Sequence, residues 1–90
     1  MAYNVYILQS TVDGSYYKGF TENLTQRLLD HNAGKSEYTS QKIPWNFVYI
    51  EAFAEKRLAL MREKAIKKYG HERMARMISS EKNQLKDFLP

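Results

Sequence analysis

The segment from Tyr3 to Gln9 leaves this chain few folds to choose from. It is β-branched and aromatic, and it alternates Tyr3, Val5 and Ile7 with Asn4, Tyr6 and Leu8. Neither set is plainly polar, so a strand here needs cover on both faces, and its expected place is the centre of a sheet. A partner follows at once. Asp13-Gly14 marks a turn, and Tyr16 to Phe20 returns as the second strand of a hairpin. That strand hands over directly to a helix. Asn23 with Gln26 three residues later forms a capping box, and Gly34 suits the left-handed position just past a helix ending at Ala33.

Lys35 to Pro44 is polar and reads as a loop, closed by Ile43-Pro44 because the residue before proline avoids helix. Trp45 to Ala54 is the third strand, with Phe47, Tyr49 and Glu51 alternating against Asn46, Val48 and Ile50. Glu55 to Tyr69 is the strongest helix, its apolar stripe drawn through Leu58, Met61, Ala65 and Tyr69 with Ile66 beside it; Gly70 stops it. Arg62 falls near the middle of that stripe, which requires a buried partner or a snorkelling stem. Glu72 to Ser79 reads as a further short helix, and Lys82 to Phe88 as at most a last helical turn. Three short strands cannot make an independent sandwich, so the expected class is α+β: a small three-stranded antiparallel sheet flanked by helices, in the order β-β-α-β-α-α. The expectation is a single domain over residues 1–90, with a core at about 3–79 and a C-terminal extension over 80–90.

Composition excludes several chemistries. With no cysteine, there is no disulfide framework, thiolate metal site or thiol nucleophile. The amino terminus lacks the basic-then-apolar pattern of a signal peptide, and no apolar run approaches the ~20 residues of a membrane span, so the expected location is the cytoplasm, away from membranes. The net charge is +4. Lys56 to Arg76 holds eight Lys or Arg against Glu63 and Glu72, which points to a polyanionic partner or to a solvated helix face.

The residues able to carry chemistry lie early in the chain and on the long helix. Arg27 and His31 are four apart, hence on one helix face, beside the Leu24 and Leu28 stripe. A guanidinium fork matches phosphate oxygens, although Asp30 at i+3 offers an ordinary ion pair. His31 is a general acid or base, an orienting group, or a structural histidine. Tyr6 and Tyr17 are mid-strand; if they share a sheet face, two phenols meet near one point and can orient or deprotonate a water. Their ordinary pKa near 10 would need a cation to lower it, with Arg27 and Lys18 as candidates. Tyrosine also suits strands for packing alone. Glu63 offers one carboxylate for a hard cation, or an intrahelical pair with Lys67. There is no phosphate-binding glycine loop, no zinc spacing, and no serine or cysteine triad.

Taken together, Val5-Tyr6-Ile7-Leu8, Tyr16-Tyr17-Lys18-Gly19-Phe20-Thr21, Arg27, His31-Asn32-Ala33-Gly34-Lys35, Pro44-Trp45 and Ala59-Leu60-Met61-Arg62-Glu63 resemble the GIY-YIG nuclease domain. They resemble most the small stand-alone bacterial UPF0213 (YhbQ-like) group. The resemblance runs from Tyr3 to about Ile78, and the order and spacing of the motifs make it specific. It implies a DNA phosphodiesterase in which Tyr6 and Tyr17 position or activate water, Arg27 binds the phosphate, His31 assists it, and Glu63 holds one Mg²⁺ or Mn²⁺. Lys18, Lys64, Lys67 and Lys68 would add weak contacts to the nucleic-acid backbone. The chain departs from the family pattern in Asn4-Val5-Tyr6, where Gly-Ile-Tyr is usual, and in Lys18, where isoleucine is usual. The family's C-terminal asparagine is not assigned to Asn83, because Lys82 occupies the expected slot. The function expected from the resemblance is metal-dependent endonuclease, in DNA repair or recombination, acting as a monomer. The alternatives are a nucleic-acid-binding module with little or no turnover, and an interaction subunit of a larger assembly.

Overall fold

A computed structural model describes residues 2–35 and 38–88. Ser36 and Glu37 of the expected loop, and Met1, Leu89 and Pro90 of the expected domain, lie outside the described residues. The elements are β1 (Tyr3–Ser10), β2 (Tyr16–Thr21), α1 (Leu24–Asn32), β3 (Trp45–Phe53), α2 (Lys56–Ile66) and α3 (His71–Ile78), with 3-10 turns at Ser40–Lys42 and Leu85–Phe88. The three strands form one antiparallel sheet in the order β2-β1-β3. The fold is therefore the α+β arrangement expected, with the strand that lacks a polar face at its centre. Among the described residues no helix is long and apolar enough to cross a membrane.

The two faces of β1 build two cores. Val5 and Ile7 pack with Tyr49, Ala59, Ile66, Met74 and Met77 beneath α2 and α3. Tyr6 and Leu8 pack with Trp45 on the other side, where Leu24 and Leu28 of α1 close over them. The simple alternation expected of β3 does not hold. The register slips between Ile7 and Leu8, which pair with Tyr49 and Phe47, so Val48 is an extra residue. This bulge reverses the parity of the strand: Phe47 joins the α1 core and Tyr49 the other.

The stripe expected on α2 is also displaced. Leu58 and Met61 are 37% and 58% exposed, whereas Ala59 and Ile66 are fully buried. Arg62 lies half-buried near this inner face because it has the partner its position required. Its Nε meets Glu51 Oε1 at 3.0 Å, and Tyr49 donates to the same oxygen at 2.6 Å. Burial and that carboxylate push the Tyr49 phenol up to about 12. At the start of α1, Asn23 caps the Gln26 N–H at 3.0 Å, but Gln26 turns outward to Asp30, so only half of the expected capping box forms. Gly34 takes the left-handed conformation just past the helix (φ +77°).

The outer edge of β3 is covered by the chain's own end. The Asn83 side chain accepts from Ile50 N and Leu85 N and donates to the Val48 and Ile78 carbonyls, while the Gln84 side chain accepts from Ala52 N. Asn83 thereby acts as an edge clip. Asn83→Ala leaves those backbone groups short of partners and should lower stability by about 1–3 kcal/mol. The check is the urea midpoint, which should fall while the slope of the transition is unchanged.

Candidate active site

The site grows from one packing requirement. β1 and β2 pair Tyr6 with Gly19 and Leu8 with Tyr17, so Tyr6 and Tyr17 share the face beneath α1. Their ring centroids are 6.4 Å apart. The Tyr6 ring lies directly across Gly19. A Cβ there would stand 2.5 Å from Tyr6 Cζ and collide with the hydroxyl. Glycine at this position is thus demanded by the close approach of a side chain.

α1 brings two partners to the Tyr6 hydroxyl. Arg27 donates its Nε–H to the phenol oxygen at 3.0 Å, and His31 Nε2 lies 3.2 Å from it. The four-residue spacing that put Arg27 and His31 on one face therefore converges on a single oxygen. His31 is completely buried, and its Nδ1 sits 2.9 Å from Thr39 Oγ1. The edge of its ring meets the Tyr17 ring at 4.7 Å. Thr39 is also fully buried, and its carbonyl accepts the Trp45 indole N–H at 2.9 Å. Asn32 clamps both backbone groups of Trp45, fixing the end of α1 to the start of β3.

The electrostatics follow from burial. The Tyr6 phenol is raised above its ordinary value, chiefly because it is buried; Arg27 pulls the other way and does not win. The cation expected to make Tyr6 more acidic is thus in place, but desolvation outweighs it. Arg27 is raised, first by its hydrogen bond to Tyr6, with the Tyr17 hydroxyl contributing. His31 is lowered, first by burial and then by the Arg27 charge. The resting site is a neutral imidazole, a neutral phenol and a guanidinium.

Glu63 arrives from α2, in the opposite layer, and its charge is the weakest of the influences on the Tyr6 phenol. Its side chain is 18% exposed and pairs with Lys67 Nζ at 3.4 Å, the ordinary i,i+4 contact. Among the described residues no group of three or more His, Asp or Glu could hold a metal. One carboxylate suits an ion that keeps most of its water, such as Mg²⁺ or Mn²⁺, rather than a four-ligand zinc site.

Lys18 does not join the site. Its neighbours Tyr17 and Gly19 belong to the Tyr6 face, so it points to the other, where Nζ donates to the Tyr69 carbonyl at 2.9 Å. It is therefore unable to serve as the cation beside the phenols. Lys64, Lys67 and Lys68 are exposed on and just beyond α2. Asn83 is committed to the β3 edge, not to the tyrosines. Sequence reading missed two features. Thr39 is one polar residue in a polar loop, and nothing in its local pattern marks it. The other is a cleft on the α2–α3 side where Arg62, Arg73, Arg76 and Lys82 gather around Tyr69, with the Arg73 guanidinium 3.8 Å from the Tyr69 ring centre. Lys82 lies beyond the basic stretch noted in the sequence, and only the fold brings it there.

Comparison with known proteins agrees with the motifs. The model of the GIY-YIG catalytic domain matches residues 2–75. A UPF0213 protein of Bacillus licheniformis is 37% identical over 86 residues, covering 94% of this chain and 88% of that one. One from Natronomonas pharaonis is 35% identical over 78 residues, covering 86% and 91%. The solution structure of a UPF0213 protein from Bacillus halodurans superposes with a TM-score of 0.60 at 29% identity, covering 98% of this chain and 94% of that one.

Two outcomes follow. Gly19→Ala forces the Tyr6 ring off Arg27 and His31 and should cost about 1–3 kcal/mol, read as a lower urea midpoint together with altered His31 ring resonances. Because the folded protein holds the His31 pKa below the ordinary 6.5, the unfolded chain takes up the proton first. The stability His31 contributes is complete above pH 6.5 and is lost as pH falls from there through the folded value. Urea midpoints across this range should fall in the wild type and fall less in His31→Asn.

Proposed function

We propose that this chain, which belongs to the GIY-YIG catalytic-domain family, is a divalent-metal-dependent DNA endonuclease that hydrolyses phosphodiester bonds. The family is a nuclease family, and the observation that carries the reading is the mooring of Arg27. Its Nε–H is taken by a buried phenol, so the guanidinium is fixed in orientation and its remaining donors can fork onto phosphate oxygens. Donors held in place before charge develops are what a phosphoryl transition state requires.

The roles follow from exposure and charge. Arg27 binds a nonbridging oxygen and stabilises the charge that builds on it. Tyr6 is completely buried and neutral, which fits holding Arg27 better than meeting bulk water. Tyr17 is only partly buried, which supports giving it the role of orienting the attacking water. His31, neutral at rest, holds the Tyr6 hydroxyl through Nε2. Glu63 would hold Mg²⁺ or Mn²⁺, which when bound supplies a Lewis acid and a template for the phosphate. Lys64, Lys67, Lys68 and the cleft of Arg73, Arg76 and Lys82 supply contacts to the backbone that give affinity without sequence choice.

A second reading, a DNA-binding module with little turnover, draws on the raised Tyr6 pKa and on the single carboxylate. Supercoiled and branched DNA incubated with Mg²⁺, Mn²⁺ or EDTA separates the two. The enzyme predicts cutting that EDTA abolishes and that Glu63→Ala reduces by about 10²-fold or more. Equal cutting by both proteins would contradict the assignment of Glu63, and salt-sensitive binding without cutting would leave the module. Arg73→Gln and Lys82→Gln should each flatten the plot of log affinity against log salt by about 0.9 for a lost phosphate contact.

A further inference from the structure

We infer that Thr39 is a positioning residue, the acceptor that fixes the tautomer of His31 and, through Tyr6, the orientation of Arg27. Arg27 carries only donors, so its Nε–H must point at the Tyr6 oxygen. The Tyr6 proton then requires an acceptor, and His31 Nε2 stands 3.2 Å away. Nε2 can accept only if it is unprotonated, which puts the ring proton on Nδ1. Nδ1 faces Thr39 Oγ1 at 2.9 Å, and a hydroxyl oxygen accepts there. All four groups then run in one direction, Arg27 to Tyr6 to His31 to Thr39.

The opposite direction fails at Tyr6. If Thr39 donated to Nδ1, His31 would donate from Nε2, and the phenol oxygen would face two donors while its own proton lost the imidazole as acceptor. In a site buried at Tyr6, His31 and Thr39 alike, an unpartnered proton is costly. Thr39 is itself fastened. Its carbonyl takes the Trp45 indole N–H, and the backbone of Trp45 is clamped by Asn32 one residue after His31. Thr39 and the residue after His31 are thus both tied to Trp45 at the start of β3.

The experiment uses the whole chain and two readouts. Nitrogen-15 NMR of the histidine rings reports which nitrogen of His31 carries the proton, with or without nuclease activity. Cleavage of DNA reports the consequence for Arg27, and this second readout rests on the nuclease reading. Wild type should show the Nδ1–H form. Thr39→Val keeps the shape but removes the acceptor; it should shift His31 toward the Nε2–H form and lower kcat by about 10–100-fold, with KM within about twofold. Thr39→Ser restores an acceptor and should recover both. An Nε2–H imidazole in the wild type, or an unchanged Nδ1–H form in Thr39→Val, would overturn the inference. If even wild type fails to cut DNA, the nuclease reading falls and the ring spectra alone decide the role of Thr39.

Discussion

Burying a phenol hydroxyl without partners costs on the order of a few kcal/mol, and the structure around Tyr6 is arranged so that this cost is not incurred. The hydroxyl is reached from α1 by Arg27 and His31 and is seated against a residue that has no side chain, Gly19. Each requirement constrains a different element. β2 must present glycine opposite Tyr6, α1 must start early enough for its second turn to reach β1, and the following loop must return Thr39 to the far side of His31. The same contacts that close the α1 core therefore build a charged, oriented group at its rim. Stability and function are not separable at this position, since the hydrogen bonds that satisfy the buried oxygen also restrict the guanidinium.

The other layer contributes through α2. Arg62 and Glu63 are adjacent, so they point about 100° apart around the helix axis. One turns to Glu51 and the α3 side, and the other pairs with Lys67 along the helix. The helix thereby links the proposed metal carboxylate to the basic cleft lined by Arg62, Arg73, Arg76 and Lys82. A nucleic acid bound at Glu63 would have a second cationic surface around the corner of α2. The inner face of this helix is carried by two small or branched residues, Ala59 and Ile66, with two charged groups between them. That is why its larger apolar residues, Leu58 and Met61, are left partly exposed.

Much of this was legible in the sequence, for local physical reasons. The central strand announced itself by lacking a polar face, the helix start by Asn23, and its end by Gly34. The i,i+4 spacing of Arg27 and His31 implies a shared face, and the place of Arg62 near the apolar stripe calls for a buried partner or a snorkelling stem; the partner is Glu51. What failed to show was non-local. The bulge at Val48 reverses the side-chain parity of β3 without any glycine or proline to mark it. The sequence pattern puts the α2 stripe through Leu58 and Met61, whereas packing buries Ala59 and Ile66 and leaves those two partly exposed. Lys18 is a candidate cation for the phenols by residue type, but strand alternation sends it to the other face. Thr39 acts only because the chain folds back on His31, and no pattern of neighbours could reveal that.

On the nuclease reading, the site provides a guanidinium moored through Nε and not merely a positive charge. Arg27→Lys tests it most directly, under single-turnover conditions with Mg²⁺ and saturating DNA. Lysine keeps the charge but has neither the Nε–H for Tyr6 nor a planar fork for phosphate. The variant should bind DNA nearly as well as the wild type and cut it about 10²–10³-fold more slowly. A rate close to that of the wild type would contradict it, because charge alone would then suffice and the buried assembly around Tyr6 would have only a structural part.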